Sequence, residues 1–117
     1  MFPSYLQPDS MDCGPACLRI ISKFYGKNYS MLTLRDRCYM SREGVSLLDL
    51  SDAAESLGFR TTGISTTWEV FRDEVPLPCI VYWNSKHYVV VYKIRKRRGK
   101  RWVYVADPAV GLLKYDE

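Results

Sequence analysis

Asp12-Cys13-Gly14-Pro15-Ala16-Cys17-Leu18 sets the architecture of the chain. Pro15 is compatible with the first turn of a helix, where backbone N–H groups have no intrahelical partner anyway. Ala16, Cys17, Ile20, Ile21 and Phe24 then recur at helical offsets on one stripe, and Gly26 stops the run. The spacing predicts a buried helix from Asp12 to about Tyr25, with a cysteine in its first turn.

Outward from that helix, a short second one is expected over Met31 to about Cys38. A third follows: Ser46 is a cap, Asp49 sits where it can reach back to it, and Leu47, Leu50, Ala53, Ala54 and Leu57 form an apolar face ending at Gly58. From Phe59 the period shortens. Phe59 to Ser65 reads as a strand, Thr67 to Arg72 as a helical turn, and Cys79 to Trp83 as a strand behind Pro76 and Pro78. Asn84-Ser85-Lys86 reads as a turn, and His87 to Ile94 is rich in β-branched and aromatic residues. Arg95 to Lys100 is a charged hairpin tip, and Arg101 to Ala106 returns antiparallel, ending at Asp107-Pro108. Helices followed by strands predict an α+β domain.

The 117 residues suffice for a single domain. At 47% hydrophobic and 26% charged, the composition is globular. No stretch reaches the roughly 18 apolar residues of a membrane span, and Met1-Phe2-Pro3-Ser4 has no basic n-region followed by an apolar run. A soluble, unexported domain is expected. The net charge of +4 is local in origin, because seven of the seventeen Lys and Arg residues lie between Lys93 and Arg101. A basic hairpin of this kind is compatible with nucleic acid, with acidic lipid or a neighbouring domain, or with solvent alone. A solvated turn needs no partner, and nucleic acid is not expected.

Cys13, Cys17, Cys38 and Cys79 lack the spacing of a disulfide framework, and one histidine cannot complete a zinc set. Reduced thiols, no metal and no cofactor are expected. The chain's one histidine, His87, opens a strand. If the hairpin turns near residue 97, Asp107 lies opposite it and can fix the imidazole tautomer. Cys13 at a helix N-terminus is a candidate nucleophile, since unpaired N–H groups and the helix dipole stabilise a thiolate. Its own N–H and the side-chain amide of Gln7, in the lead-in before Pro8, are candidate oxyanion donors. The bland alternative makes Cys13 a small buried hydrophobe, Gln7 a surface residue and His87 a satisfied strand end.

Taken together, Gln7, Asp12 to Leu18, Gly44-Val45-Ser46-Leu47, Ala53 to Phe59, His87 to Val91 and Asp107-Pro108-Ala109 resemble the C39 peptidase domain. This is the papain-like cysteine protease domain at the N-terminus of ABC transporters that mature and export bacteriocins and related peptides. The resemblance covers nearly the whole chain. It implies N-terminal helices packed on a C-terminal antiparallel sheet, with Cys13 as nucleophile, His87 as base and later acid, Asp107 orienting it, and Gln7 in the oxyanion hole. It further implies cleavage of a helical leader after a Gly-Gly or Gly-Ala pair, on the cytoplasmic side of the membrane, beside transmembrane and ATP-binding domains. The family domain normally continues past Glu117, which suggests an excised domain or short relative. A narrow cleft is expected for small residues, with Tyr5, Trp83, Tyr88 and Trp102 available to wall it. An inert leader-binding domain, amide transfer and deamidation are the alternatives.

Overall fold

The computed structural model describes residues 1–39, 44–83 and 87–116. Helices α1 (Cys13–Phe24), α2 (Met31–Cys38), α3 (Leu47–Ser56) and α4 (Trp68–Glu74) precede strands β1 (Cys79–Trp83), β2 (His87–Arg97), β3 (Lys100–Asp107) and β4 (Gly111–Asp116). The strands form one antiparallel sheet in the order β1-β2-β3-β4. The fold is α+β, as the order of periodicities predicts. The expected turn at residues 84–86 lies outside the described residues.

Helix α1 packs on β2, with α2 and α3 beside it. Its stripe of Ala16, Cys17, Ile20 and Ile21 joins Leu34, Cys38, Leu50, Ala53, Val90 and Ala106 in the main core. Leu18, Ile20 and Leu34 are fully buried, and each such side chain contributes about 1.5–3 kcal/mol. Ser46 Oγ accepts the Asp49 N–H at 3.1 Å, fixing the start of α3. Leu47, expected on the apolar face, is instead 49% exposed, because α3 turns only Leu50, Ala53, Ala54 and Leu57 inward. On the opposite face of the sheet, Val89, Val91, Val103 and Val105 form a second cluster under Trp68 and Phe71 of α4.

Three expectations are corrected. Phe59 to Ser65 is not a strand. This mostly exposed segment finds no sheet edge and is tied locally to α3, where Glu55 Oε2 accepts Thr61 Oγ1–H at 2.7 Å and the Thr61 N–H at 3.2 Å. A fourth strand, β4, follows the tight turn after Asp107, in which the Val110 N–H donates to the Asp107 carbonyl at 3.2 Å. The hairpin tip is only Arg98-Gly99, both with positive φ (52° and 78°), the geometry that suits the twist of paired strands. Arg95 to Arg97 and Lys100 therefore belong to strands.

That shorter tip changes the register. Arg97 faces Lys100 and Lys93 faces Tyr104, but a bulge between Val91 and Lys93 shifts the pairing, so that Val91 faces Val105 and Val90 faces Ala106. Continued to the strand ends, the shifted register sets Asp107 beside Val89, not opposite His87 as expected. His87 is two residues from Val89, on the same side of the pleat.

Candidate active site

Cys13 is the first residue of α1 and is 8% exposed. Asp12 is the N-cap, yet its side chain makes no capping bond. Its carboxylate instead accepts Arg35 Nε–H at 2.8 Å through Oδ1 and Arg35 Nη2–H through Oδ2. The Arg35 guanidinium is pushed further toward its charged form, first by that hydrogen bond and then by the Asp12 charge. No sequence signal links residues 12 and 35. The pair emerges only from the packing of α1 against α2.

At the start of β2, His87 Nε2 lies 2.6 Å from Asp107 Oδ1. The carboxylate accepts, so Nε2 carries the proton and Nδ1 is left for another partner. Asp107 Oδ1 also accepts the Ala109 N–H at 2.8 Å, which fixes the carboxylate itself. The two side chains are 26% and 14% exposed. The contact is diagonal across the ladder, a spacing long side chains can bridge.

Tyr88 connects this strand to α1. A Cβ placed on Gly14 would lie 2.9 Å from Val45 Cγ1, too close, and 3.6 Å from Tyr88 Cδ2, an ordinary contact, so the helix fits against Val45 only because residue 14 has no side chain. The Tyr88 hydroxyl donates to the Val45 carbonyl at 3.0 Å. Burial, followed by the nearby Tyr82, Cys13 and Cys17, pushes the Tyr88 hydroxyl up to about 12. Cys13 and His87 each flank one member of the Gly14–Tyr88 contact. Among the described residues, no hydrogen bond joins the Cys13 thiol to the imidazole.

Gln7 is brought to the same end of the sheet: its backbone N–H donates to the Pro108 carbonyl at 2.7 Å. Its Nε2 donates one proton to the Asp9 carbonyl at 2.9 Å, leaving the second N–H available, and its Oε1 is buried without a partner. Thus Gln7 stands beside the residue that follows Asp107.

The other three thiols lie in apolar surroundings. Burial, then the charges of Cys13 and Asp107, holds Cys17 well above its ordinary range. Burial pushes Cys38 up to about 12 and Cys79 up to about 11. Among the described residues, no group of three or more His, Cys, Asp or Glu could hold a metal ion. Of the aromatic residues expected near the cleft, Tyr88 adjoins Gly14 and Trp83 pairs with His87 across the ladder. Trp102 does not belong there, since it faces Arg95 in the hairpin arm. Tyr5 is covered by the Arg19 guanidinium, 4.2 Å from its ring centre.

Comparison with known proteins gives this arrangement a family. The Peptidase C39 family matches residues 1–117. The colicin V secretion/processing ATP-binding protein CvaB of Escherichia coli is 33% identical over 111 residues, 94% of this chain and 15% of that protein. The lactococcin-G-processing and transport ATP-binding protein LagD of Lactococcus lactis subsp. lactis is 33% identical over 113 residues, 92% of this chain and 16% of that protein. The chain thus spans about 15% of the length of these curated relatives. A double glycine motif protease from an AMS/PCAT transporter, solved in complex with its leader peptide, superposes with a TM-score of 0.91 at 30% identity. That match covers 97% of this chain and 79% of the other. The peptidase domain of Streptococcus ComA superposes with a TM-score of 0.79 at 28% identity, covering 99% and 87%. The chain belongs to the Peptidase C39 family and has the fold of its cysteine peptidase domains.

Proposed function

We propose that this domain is a Cys-His-Asp endopeptidase that removes the leader of a precursor peptide by cutting after a Gly-Gly or Gly-Ala pair. The observation that carries the catalytic assignment is the 2.6 Å contact of His87 Nε2 with Asp107 Oδ1, at the strand end beside the start of α1. Asp107 holds the imidazole in the tautomer that leaves Nδ1 free to serve Cys13, whose position at a helix N-terminus beside an imidazolium suits a nucleophilic thiolate. The thiolate attacks the carbonyl carbon of the second glycine. The negative oxygen is received by the Cys13 N–H and the free N–H of Gln7 Nε2. His87 gives its proton to the leaving amine, and the peptide bond breaks. It then takes a proton from water, which attacks the thioester, frees the leader carboxylate and returns the thiol.

The double-glycine specificity and the leader are supported by the solved relative at 30% identity, a double glycine motif protease bound to a leader peptide. A cleft of about 1170 Å³ runs between α4 and the second sheet face, lined by Trp68, Val70, Phe71, Val81, Trp83 and Tyr115 among others. Trp83 faces His87 across β1 and β2. An amphipathic leader helix seated in this cleft would send its C-terminal end toward the catalytic residues, the helix-in-groove mode.

The names of the relatives, secretion, processing and transport ATP-binding proteins, support a place beside an ATP-binding domain in a peptide exporter; the family resemblance adds the transmembrane domain and the cytoplasmic side. The basic arm fits acidic lipid headgroups there. Its seven cations leave ten basic against thirteen acidic residues elsewhere, and Arg97 faces Lys100 across the hairpin. A facing pair of like charges is destabilising unless an anion compensates.

The deciding experiment is mass spectrometry of a Gly-Gly precursor incubated with the reduced protein and with Cys13→Ala. Cleavage after the second glycine by the first alone is expected. Leader binding without cleavage by either would replace the peptidase with an inert leader-binding domain.

A further inference from the structure

We propose that Arg35 is a positioning residue for the nucleophile, acting on Cys13 through Asp12. The proposal rests on the assignment of Cys13 as the attacking group. An aspartate at an N-cap ordinarily accepts an N–H from the second or third helical residue. Here the third residue, Pro15, has no N–H, so a capping carboxylate would compete for the Gly14 N–H. Arg35 prevents this by holding both Asp12 oxygens. The positive end of α1 is left for the charge that develops at Cys13.

The same contact governs the field at the sulfur. Asp12 has a side chain only 3% exposed, while that of Arg35 is 40% exposed. Without the guanidinium, a buried carboxylate adjoining Cys13 would oppose the thiolate. Other titratable groups near this region are Cys17 on α1, Tyr82 on β1, Tyr88 on β2 and Asp107 on β3, to which His87 is bonded; Asp9 and Tyr5 adjoin Arg35. Among them Arg35 is the group bonded to the residue next to Cys13. Its position depends on α2, whose start is fixed by Ser30 Oγ accepting the Thr33 N–H at 3.2 Å.

The test is the pH dependence of iodoacetamide alkylation at Cys13, read by peptide mass spectrometry without substrate. It is run on the wild type, Arg35→Met, Arg35→Lys and the neutral pair Asp12→Asn/Arg35→Met. In Arg35→Met the alkylation profile should move toward higher pH by about one unit, a roughly tenfold slower reaction at any pH below its midpoint. Arg35→Lys should recover part of the rate, and the neutral pair should recover most of it. A midpoint unchanged in Arg35→Met, even with a lower Tm, would reduce Arg35 to a structural brace. So would a neutral pair as slow as the single variant. If Arg35→Met does not fold, Arg35→Lys and the neutral pair decide: wild-type profile in the pair supports the proposal, and a displaced one overturns it. Precursor cleavage by the wild type separately tests the peptidase assignment.

Discussion

His87 and Asp107 meet at 2.6 Å although the ladder does not place them opposite one another. The Arg98-Gly99 tip alone would set them on opposite sides of the pleat. The extra residue at the bulge between Val91 and Lys93 restores the phase, and a diagonal reach completes the contact. The bulge is therefore what lets this pair form, and with it the proposed catalytic geometry.

The first prediction concerns the role of Asp107. Asp107→Asn keeps a side-chain oxygen that accepts Nε2–H, the role asparagine fills in Cys-His-Asn sites, and should retain more kcat/KM than Asp107→Ala. Steady-state cleavage of a Gly-Gly precursor reads the difference. Equal losses would show that charge, and not orientation, is what Asp107 provides.

Gln7→Ala removes one oxyanion donor and should lower kcat by about 10²–10³, or roughly 3–4 kcal/mol. Cys13→Ala should leave no acyl-enzyme at all. A Gln7→Ala rate as low as that of Cys13→Ala would remove Gln7 from the oxyanion hole.

Gly14→Ala would force a Cβ to within 2.9 Å of Val45 Cγ1. Overpacking of this kind costs about 1–3 kcal/mol. Adding Val45→Ala should recover much of that loss, measured as the midpoint of urea unfolding. Additive losses in the double variant would locate the strain elsewhere.

Alkaline stability follows from the buried thiols. Cys38 ionises near the ordinary thiol value of 9.0 when unfolded but only at about 12 when folded. Its contribution is complete below pH 9 and is lost as pH rises from 9 toward 12, at about 1.4 kcal/mol per pH unit. Cys38→Ala should flatten the decline of stability between pH 9 and 10.5 by about that slope. Denaturant unfolding at several pH values checks it, and parallel slopes would contradict it.

The basic arm should bind vesicles containing phosphatidylserine, and neutral vesicles much less. Replacing Lys96, Arg97 and Arg98 with glutamine should remove about 1 kcal/mol per charge, with no change in Gly-Gly cleavage in solution. Co-sedimentation at two salt concentrations measures this. Equal binding by the two proteins would dismiss the lipid assignment.

The helices and the central hairpin were legible in the sequence because Pro15, Ser46, Gly26 and the valine-rich run of β2 act through local chemistry. The same local signals misplaced Phe59 to Ser65, where the composition suits a strand but no neighbouring edge exists to pair with it. β4 escaped because Gly111 to Asp116 is short and earns its pairing from β3. Cys13, His87 and Asp107 were legible as candidates, but the bulge that aligns two of them depends on the tip geometry, which sequence spacing misplaced. The Asp12–Arg35 pair arises from helix packing, and its two residues carry no local mark of each other.

The hydrogen bond from the Gln7 N–H to the Pro108 carbonyl joins segments separated by almost the whole chain. Closing a contact of such long sequence separation costs loop entropy that the packing of the intervening elements must offset. A molecule whose two ends have not yet met would carry the Cys13 thiol without the proposed oxyanion donor beside it, so the proposed peptidase activity would require the chain to be closed from end to end.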